Sequence, residues 1–285
     1  MQSTIGRKIL RVFPRRTNAT PDDELVRIGE PGLFDPPDCD EVHISVTFTW
    51  DRAKAMRLRA AWASVHPRVK LGGPVYDESQ VGDRCGGFVP GRYLATGHVI
   101  TSRGCPNRCW FCVVPSREGE DIRELDIRDG WKVQDSNLLA CSWEHVDAVF
   151  NMLARQPHRP EFLGGLEAAR LEQWHVDRLR ELKPRRLFCA YDTPDDLEPI
   201  RQAGSMLAEA GIGERYCYVL IGYRTDSFEK AERRLHAAID AGFMPYAMLF
   251  RGDDGRVDGD WRSFQREWVR PQIVRSKMRE AAKVR

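Results

Sequence analysis

The sequence lacks several features that would assign its class at once. No apolar run approaches the roughly 18 residues that a membrane-spanning helix needs, and the N-terminal segment lacks the apolar core of a signal peptide. The net charge of +2 is too small to indicate nucleic-acid binding by itself. Eight cysteines spread over 285 residues do not form a disulfide framework. These absences favour a cytoplasmic globular protein with reduced cysteines.

Three of the cysteines lie close together. Cys105, Cys109 and Cys112 have the spacing C-x3-C-x2-C within one short segment. A 4Fe-4S cube needs four ligands, so three thiolates leave one iron open to another molecule. A structural zinc site normally adds a fourth ligand at short spacing, but the next cysteine is Cys141 and the next histidine is His145. The spacing predicts a cluster with an open iron, and zinc completed by a distant residue is the alternative.

This spacing, with Phe111 before the last cysteine, resembles the radical S-adenosylmethionine superfamily. The resemblance implies a 4Fe-4S cluster on the three cysteines, S-adenosylmethionine on the open iron, and a reductant such as a flavodoxin or ferredoxin. It also implies reductive cleavage to a 5′-deoxyadenosyl radical that abstracts hydrogen from a substrate, while the protein positions and shields the cofactor. The sequence does not identify the substrate. A non-catalytic iron–sulfur or zinc module with nucleic-acid contacts is the alternative.

From residue 95 to 260 the chain alternates between strand-like and helix-like patterns, which predicts a parallel sheet with helices outside it. Six strands fit the partial (β/α)6 TIM-like barrel that the resemblance implies, with a C-terminal helix over 261–285. The predicted strands are His98–Ser102, Lys132–Gln134, Glu161–Leu163, Arg186–Tyr191, Tyr216–Tyr223 and Met244–Phe250. The predicted helices are Trp143–Gln156, Ala168–Leu182, Asp195–Ala210, Ser227–Ala241 and Trp261–Val274.

Residues 1–94 are predicted to form an N-terminal arm and a small βαβ extension. The pattern predicts a strand over Glu41–Trp50, a helix over Asp51–Val65 capped by Asp51, and a strand and turn over Val69–Pro74. This unit resembles a degenerate form of the domain that precedes the core in cobalamin-linked members. The Asp-x-His-x-x-Gly signature of cobalamin binding is not matched, so no cobalamin is expected.

The first 38 residues are rich in Arg, Pro and Asp, and they contain a local group of basic residues. We expect a solvated arm there, and contact with a polyanion is the alternative. The basic residues are Arg7, Lys8, Arg11, Arg15 and Arg16.

Barrel enzymes place their chemistry at the carboxyl ends of strands, which nominates the loops that follow them. After the second predicted strand, Asp135 and Asn137 can bind the ammonium group of S-adenosylmethionine, or they can form an Asx turn. After the third, Gly164, Gly165 and Glu167 resemble the Gly-Gly-Glu motif of the superfamily. They are the alternative ammonium site, and a tight turn before the next helix would also explain them.

Two further cofactor contacts are implied by the resemblance. Asp192 and Thr193, after the fourth predicted strand, can bind the ribose hydroxyls or the methionyl carboxylate region of S-adenosylmethionine. Phe111 and Gly222 are expected to lie near the adenine. For Phe111, shielding of the cluster from water is an additional role.

The segment Cys112–Gly119 also resembles methylthiotransferases, which carry a second cluster on three N-terminal cysteines. Only Cys39 and Cys85 lie upstream of the motif, so this function is the lesser alternative. The whole layout resembles uncharacterised radical S-adenosylmethionine proteins of bacteria and phages, a resemblance that names no substrate.

Overall fold

The computed structural model describes residues 7–76, 81, 88–252 and 254–283. The chain divides into two compact units, Met1–Val99 and Ile100–Arg285. Within the described residues, no helix combines the length and apolar character needed to cross a membrane. Cys85, in the predicted loop, lies outside the described residues.

The first unit contains a four-stranded parallel sheet with the strand order β2-β1-β3-β4. Helix α1 (Arg52–Ala63) follows β3 and leads to β4, which confirms the predicted βαβ unit. The apolar core of this unit includes Leu10, Val42, Ile44 and Trp62. The strands are β1 (Ile9–Phe13), β2 (Val26–Ile28), β3 (Glu41–Ser45) and β4 (Val69–Gly72).

The prediction of a solvated N-terminal arm is wrong. Strand β1 lies inside the sheet between two neighbours, and all five of its residues are buried. Parallel sheets are covered on both faces, so an interior strand must be apolar, as most of β1 is. The basic residues around it each form an ion pair with a carboxylate. The pairs are Arg7–Glu41, Lys8–Asp38, Arg11–Asp23, Arg15–Asp51 and Arg16–Asp22.

The prediction that Asp51 caps α1 with its side chain is also wrong. Its carboxylate makes no capping bond and instead accepts two hydrogen bonds from Arg15, at 2.7 Å from Nε and 2.5 Å from Nη2. A bidentate guanidinium is a stronger partner for a buried carboxylate than a single backbone N–H. The predicted strand to Trp50 ends at Ser45, because the chain turns into a 3-10 helix over Thr49–Asp51.

In the second unit, strands β8 to β12 form an open sheet with the order β12-β11-β10-β9-β8, and all of these pairs are parallel. Strands β6 and β7 form a separate antiparallel pair. The α/β class with parallel sheets is therefore confirmed, and the sheet is not closed. Strand β5 (His98–Val99) ends the first unit. The strands of the second unit are β6 (Ser102–Arg103), β7 (Arg123–Glu124), β8 (Lys132–Val133), β9 (Glu161–Phe162), β10 (Arg186–Ala190), β11 (Arg215–Ile221) and β12 (Met244–Leu249).

Most helices of this unit lie where the sequence predicts them, between consecutive strands. The predicted terminal helix is instead two helices, because Arg270 precedes Pro271 and adopts an extended conformation with ψ of 112°. Proline disfavours helical geometry in the residue before it. The helices are α2 (Val114–Glu118), α3 (Trp143–Ala154), α4 (Gln173–Leu182), α5 (Leu197–Glu209), α6 (Phe228–Asp240), α7 (Gly259–Val269) and α8 (Pro271–Lys283).

Candidate functional site

The three motif cysteines lie on a loop that is fixed at its base. Strands β6 and β7 pair on either side of it. Gly104 has φ of +92°, and a Cβ there would lie 2.1 Å from the carbonyl oxygen of Asp121, so only glycine fits. The N–H of Cys105 donates to the carbonyl of Gly119 at 3.2 Å. These contacts hold the start and the end of the loop together.

Glu118, at the end of α2, ties this loop to the end of β8. Its carboxylate accepts hydrogen bonds from Gly104 N at 3.1 Å, Arg103 Nη1 at 3.0 Å and Ser136 Oγ at 2.9 Å. Sequence reasoning missed this residue, because its partners are distant in the chain and form no motif. Three donors on one carboxylate make it a positioning residue for the cysteine loop.

The three cysteines line one cavity of about 250 Å³. All three thiols are free, and Cys105 is buried whereas Cys109 is exposed. The carboxyl ends of β8, β9 and β10 complete the walls, as the strand-end rule predicts. The other predicted site residues that line it are Phe111, Asn137, Gly164, Gly165, Glu167, Asp192 and Thr193.

The motif thiols interact electrostatically. Although Cys109 is exposed as a residue, partial burial of its thiol, followed by the nearby Cys112 and Cys105 thiols, raises its pKa to about 11. Burial also raises the pKa of Cys112, although the N–H of Val114, 3.5 Å from its sulfur, opposes the shift. Three thiolates at this spacing repel one another, and cationic iron would remove that repulsion.

Within the described residues, no group of three or more His, Cys, Asp or Glu side chains is arranged to hold a metal ion. A tetrahedral zinc ion needs its sulfur ligands within about 3.8 Å of one another, given Zn–S bonds of about 2.3 Å. An iron–sulfur cube binds each thiolate to a different iron and so requires wider spacing. The described residues that line the cavity include no fourth cysteine and no histidine, and their carboxylates are those of Glu167, Asp192 and Asp196.

The structure brings together residues of the two alternative ammonium sites that the sequence predicts. Asn137 Nδ2 donates to Glu167 Oε2 at 2.6 Å and contacts Cys105 Sγ at 3.5 Å. Asn137 is 4% exposed, and its Oδ1 has no hydrogen-bond partner. A buried carbonyl oxygen without a donor is rare in native proteins. The amide therefore offers an acceptor beside a motif cysteine and a carboxylate.

Two different structural constraints explain why glycine occupies the two positions after β9. A Cβ on Gly164 would lie 2.1 Å from the carbonyl oxygen of Asp135, so the neighbouring strand end requires a glycine. Gly165 has φ of +94°, which side chains rarely adopt. Both allow the backbone to approach the cavity closely.

Asp135 has a different position from the predicted one. It is 1% exposed, does not line the main cavity, and accepts hydrogen bonds from Thr101 N at 2.6 Å and Ser102 Oγ at 2.9 Å. The hydroxyl of Thr101 donates to the same carboxylate. Burial raises its pKa, and these donors oppose that shift. Because protein donors occupy its oxygens, Asp135 joins the start of the cysteine loop to β8.

Asp192 and Thr193 lie in the turn after β10. Asp192 Oδ1 accepts from Leu220 N at 2.9 Å, and burial raises its pKa to about 6 despite that bond. The hydroxyl of Thr193 donates to Asp196 Oδ2 at 3.0 Å in a capping box. Asp192 therefore keeps one carboxylate oxygen available in the cavity wall, whereas the hydroxyl proton of Thr193 is already used.

Gly222 does not line the cavity. Its φ is +75°, and a Cβ would lie 2.6 Å from Leu249 Cδ1 and 3.2 Å from the Trp261 ring. Its N–H donates to Asp226 at 2.9 Å. The glycine is explained by this turn and by packing beneath α7, away from the predicted adenine contact.

Tyr218 is a cavity residue that sequence reasoning missed. Its hydroxyl donates to the carbonyl of Leu163 at 3.1 Å, directly before Gly164, and its ring stacks on Phe188 at 4.3 Å. Burial raises its pKa to about 12. Alternation along β11 places Tyr218 on the face of the sheet opposite Cys217 and Val219. This alternation is visible in the sequence and could have identified Tyr218 as a cavity residue.

No protein-family model matches the chain, and no curated protein matches it. The function is therefore argued from the residues and the geometry of the site.

Proposed function

We propose that this chain is a radical S-adenosylmethionine enzyme. The supporting observation is that three free thiols of one C-x3-C-x2-C loop line one cavity with the carboxyl ends of three parallel strands. When bound, the 4Fe-4S cluster and S-adenosylmethionine supply reductive cleavage and a radical that abstracts hydrogen. Cys105, Cys109 and Cys112 would hold the cluster, with one iron left to the cofactor.

The cavity offers groups that suit the other end of S-adenosylmethionine. Asn137 Oδ1 and the carboxylate of Glu167 are hydrogen-bond acceptors, as an ammonium group requires. Asp192 offers a carboxylate oxygen for ribose hydroxyls. Phe111 supplies an apolar ring in the same wall. These residues bind and orient the cofactor.

The sheet of the second unit supports a partial (β/α)6 barrel as the architecture. Neighbouring strands follow chain order from β8 to β12, and the helices α3 to α6 connect them. Right-handed βα units repeated in this way curve a sheet into an open barrel with the site at its carboxyl edge.

The test is anaerobic reconstitution of the full chain with iron and sulfide, followed by dithionite and S-adenosylmethionine. We expect 5′-deoxyadenosine and methionine as products. Cys109→Ala should lower the rate at least about a hundredfold, because a cluster cannot keep its site with two ligands. Cys39→Ala, a half-buried cysteine of the first unit, is the matched control.

Two results would overturn the proposal. One is the absence of 5′-deoxyadenosine from protein that carries its cluster. The other is full cleavage activity in Cys109→Ala, which would show that these thiols do not hold the reactive centre.

A further inference from the structure

The inner face of β10–β12 is not covered as parallel sheets usually are. We use this name for the side chains of Phe188, Ala190, Tyr216, Tyr218, Tyr246 and Met248. The opposite face, with Cys189, Cys217 and Val219, is fully buried. On the inner face Tyr246 is 36% and Met248 42% exposed, and Ala190 is exposed. Parallel sheets normally bury both faces, so an exposed apolar face here indicates a binding surface.

This face is continuous with the proposed cofactor site. Ala190 and Tyr218 belong to it and also line the cavity of the three cysteines. The strand register places Ala190 beside Tyr218 and Tyr218 beside Tyr246. A molecule on Tyr246 therefore lies one side chain away from the wall of that cavity.

The rings form a corner that suits a flat group. Phe188 and Tyr218 are nearly parallel, with 12° between their planes. Tyr246 is almost perpendicular to both, at 85° and 87°. A planar ring placed in this corner can stack on one wall and meet the other wall edge to face, the two arrangements that aromatic pairs prefer.

The polar groups of the face favour a ring with hydrogen-bonding edges and no net charge. The hydroxyls of Tyr216 and Tyr218 already donate to Glu214 and Leu163. The hydroxyl of Tyr246 has no hydrogen-bond partner among the described residues. Alternation also places Arg186 on this side of β10, and its guanidinium is paired with the buried carboxylate of Glu161 at 2.5 Å. A charged ring would therefore lose hydration without meeting a free counter-charge.

We propose that the inner face of β10–β12 binds a nucleobase, presented by a nucleoside, as the substrate group. This inference rests on the proposed function, which makes the adjoining cavity the place where the substrate is activated. A nucleobase combines a stacking surface, an uncharged ring and polar edges, whereas an aromatic amino-acid side chain lacks most of the polar edge.

The test is equilibrium dialysis of the full chain with adenosine, guanosine, cytidine and uridine, with and without saturating S-adenosylmethionine. We expect at least one nucleoside to bind in both conditions. Tyr246→Ala should weaken that binding about tenfold, the size of one base–aromatic stack, and Tyr246→Phe should weaken it less. Met248→Ala should also weaken it, and Met56→Ala, an exposed methionine on α1, should not.

Several outcomes would overturn the inference. They are no nucleoside binding, binding unchanged in Tyr246→Ala, binding abolished by S-adenosylmethionine, and tighter binding of N-acetyl-phenylalaninamide than of every nucleoside. The proposed function fails separately. Nucleoside binding by a chain that never forms 5′-deoxyadenosine refutes that function alone, and cleavage without nucleoside binding refutes only this inference.

Discussion

Two buried polar centres, one in each unit, differ in whether their hydrogen bonds are satisfied. In the first, the carboxylate of Glu41 is 3% exposed and accepts from Arg7 at 2.7 Å and from His43 and Lys70 at 2.8 Å each. In the second, Asn137 is equally buried and leaves Oδ1 without a donor. Satisfied buried charge stabilises a fold, whereas an unsatisfied acceptor in a cavity is available to a ligand. The comparison assigns stability to one centre and binding to the other.

The largest effect is expected at Glu41. Burial would raise its pKa, but hydrogen bonds from Lys70 and His43 outweigh burial and lower it to about 2. A carboxyl with a folded pKa below its unfolded value of about 4.3 stabilises the protein above that value. This stability, on the order of 3 kcal/mol, is lost as pH falls from about 4.3 towards 2.

Urea unfolding of wild type and Glu41→Gln between neutral pH and pH about 3 checks this prediction. The difference in unfolding free energy should shrink as pH falls, because wild type loses what the variant already lacks. Glu198→Gln, at an exposed position with a side chain 82% accessible, is the control. A constant difference across the range would contradict the assignment of stability to this carboxylate.

The strands that surround these centres were largely predictable, because β3 and β10–β12 show strong apolar or alternating patterns. Strand β1 was missed, since its five residues stand between basic segments and resemble a polar arm. The site was predictable where residues follow a motif or a strand end, as Cys105 and Asn137 do. Glu118 and Tyr218 act through partners that only the tertiary structure brings close, so no local pattern reveals them.

A second effect is expected at the strand end beneath the cavity. Gly164→Ala places a Cβ against the Asp135 carbonyl. Because the backbone must move to relieve this clash, the unfolding free energy should fall by about 2–3 kcal/mol. Gly213→Ala is the matched control, because nothing lies within 4 Å of a Cβ there. Thermal unfolding of both variants measures the effect. Equal stability of the two would show that the close approach is not required.

The prediction that the Asn137 centre binds a ligand is tested by substituting Asn137. Asn137→Ala removes the unpartnered acceptor and the bond to Glu167. It should weaken S-adenosylmethionine binding about tenfold, because that is the contribution expected from one hydrogen bond to a charged group. Dialysis with the reconstituted protein measures this, with iron content as a check on the cluster. Asn151→Ala, on the exposed side of α3, should bind normally. Unchanged affinity in Asn137→Ala would remove this residue from the site.

The smallest effect is expected at Tyr218. Tyr218→Phe loses one hydrogen bond, to the carbonyl of Leu163, and should cost about 1 kcal/mol of unfolding free energy. Tyr216→Phe, whose hydroxyl contacts Glu214 at the surface, should cost less than about 0.5 kcal/mol. Chemical denaturation compares the two variants. An equal loss in both would mean that the bond to Leu163 does not hold this strand end.

Electron paramagnetic resonance of the dithionite-reduced full chain tests the central claim most directly, since it reports both the cluster and its open iron. We predict the signal of a reduced 4Fe-4S cluster whose shape changes when S-adenosylmethionine is added, and whose intensity is lost in Cys109→Ala. A reconstituted cluster signal that S-adenosylmethionine leaves unchanged, or one that persists in Cys109→Ala, would contradict the account.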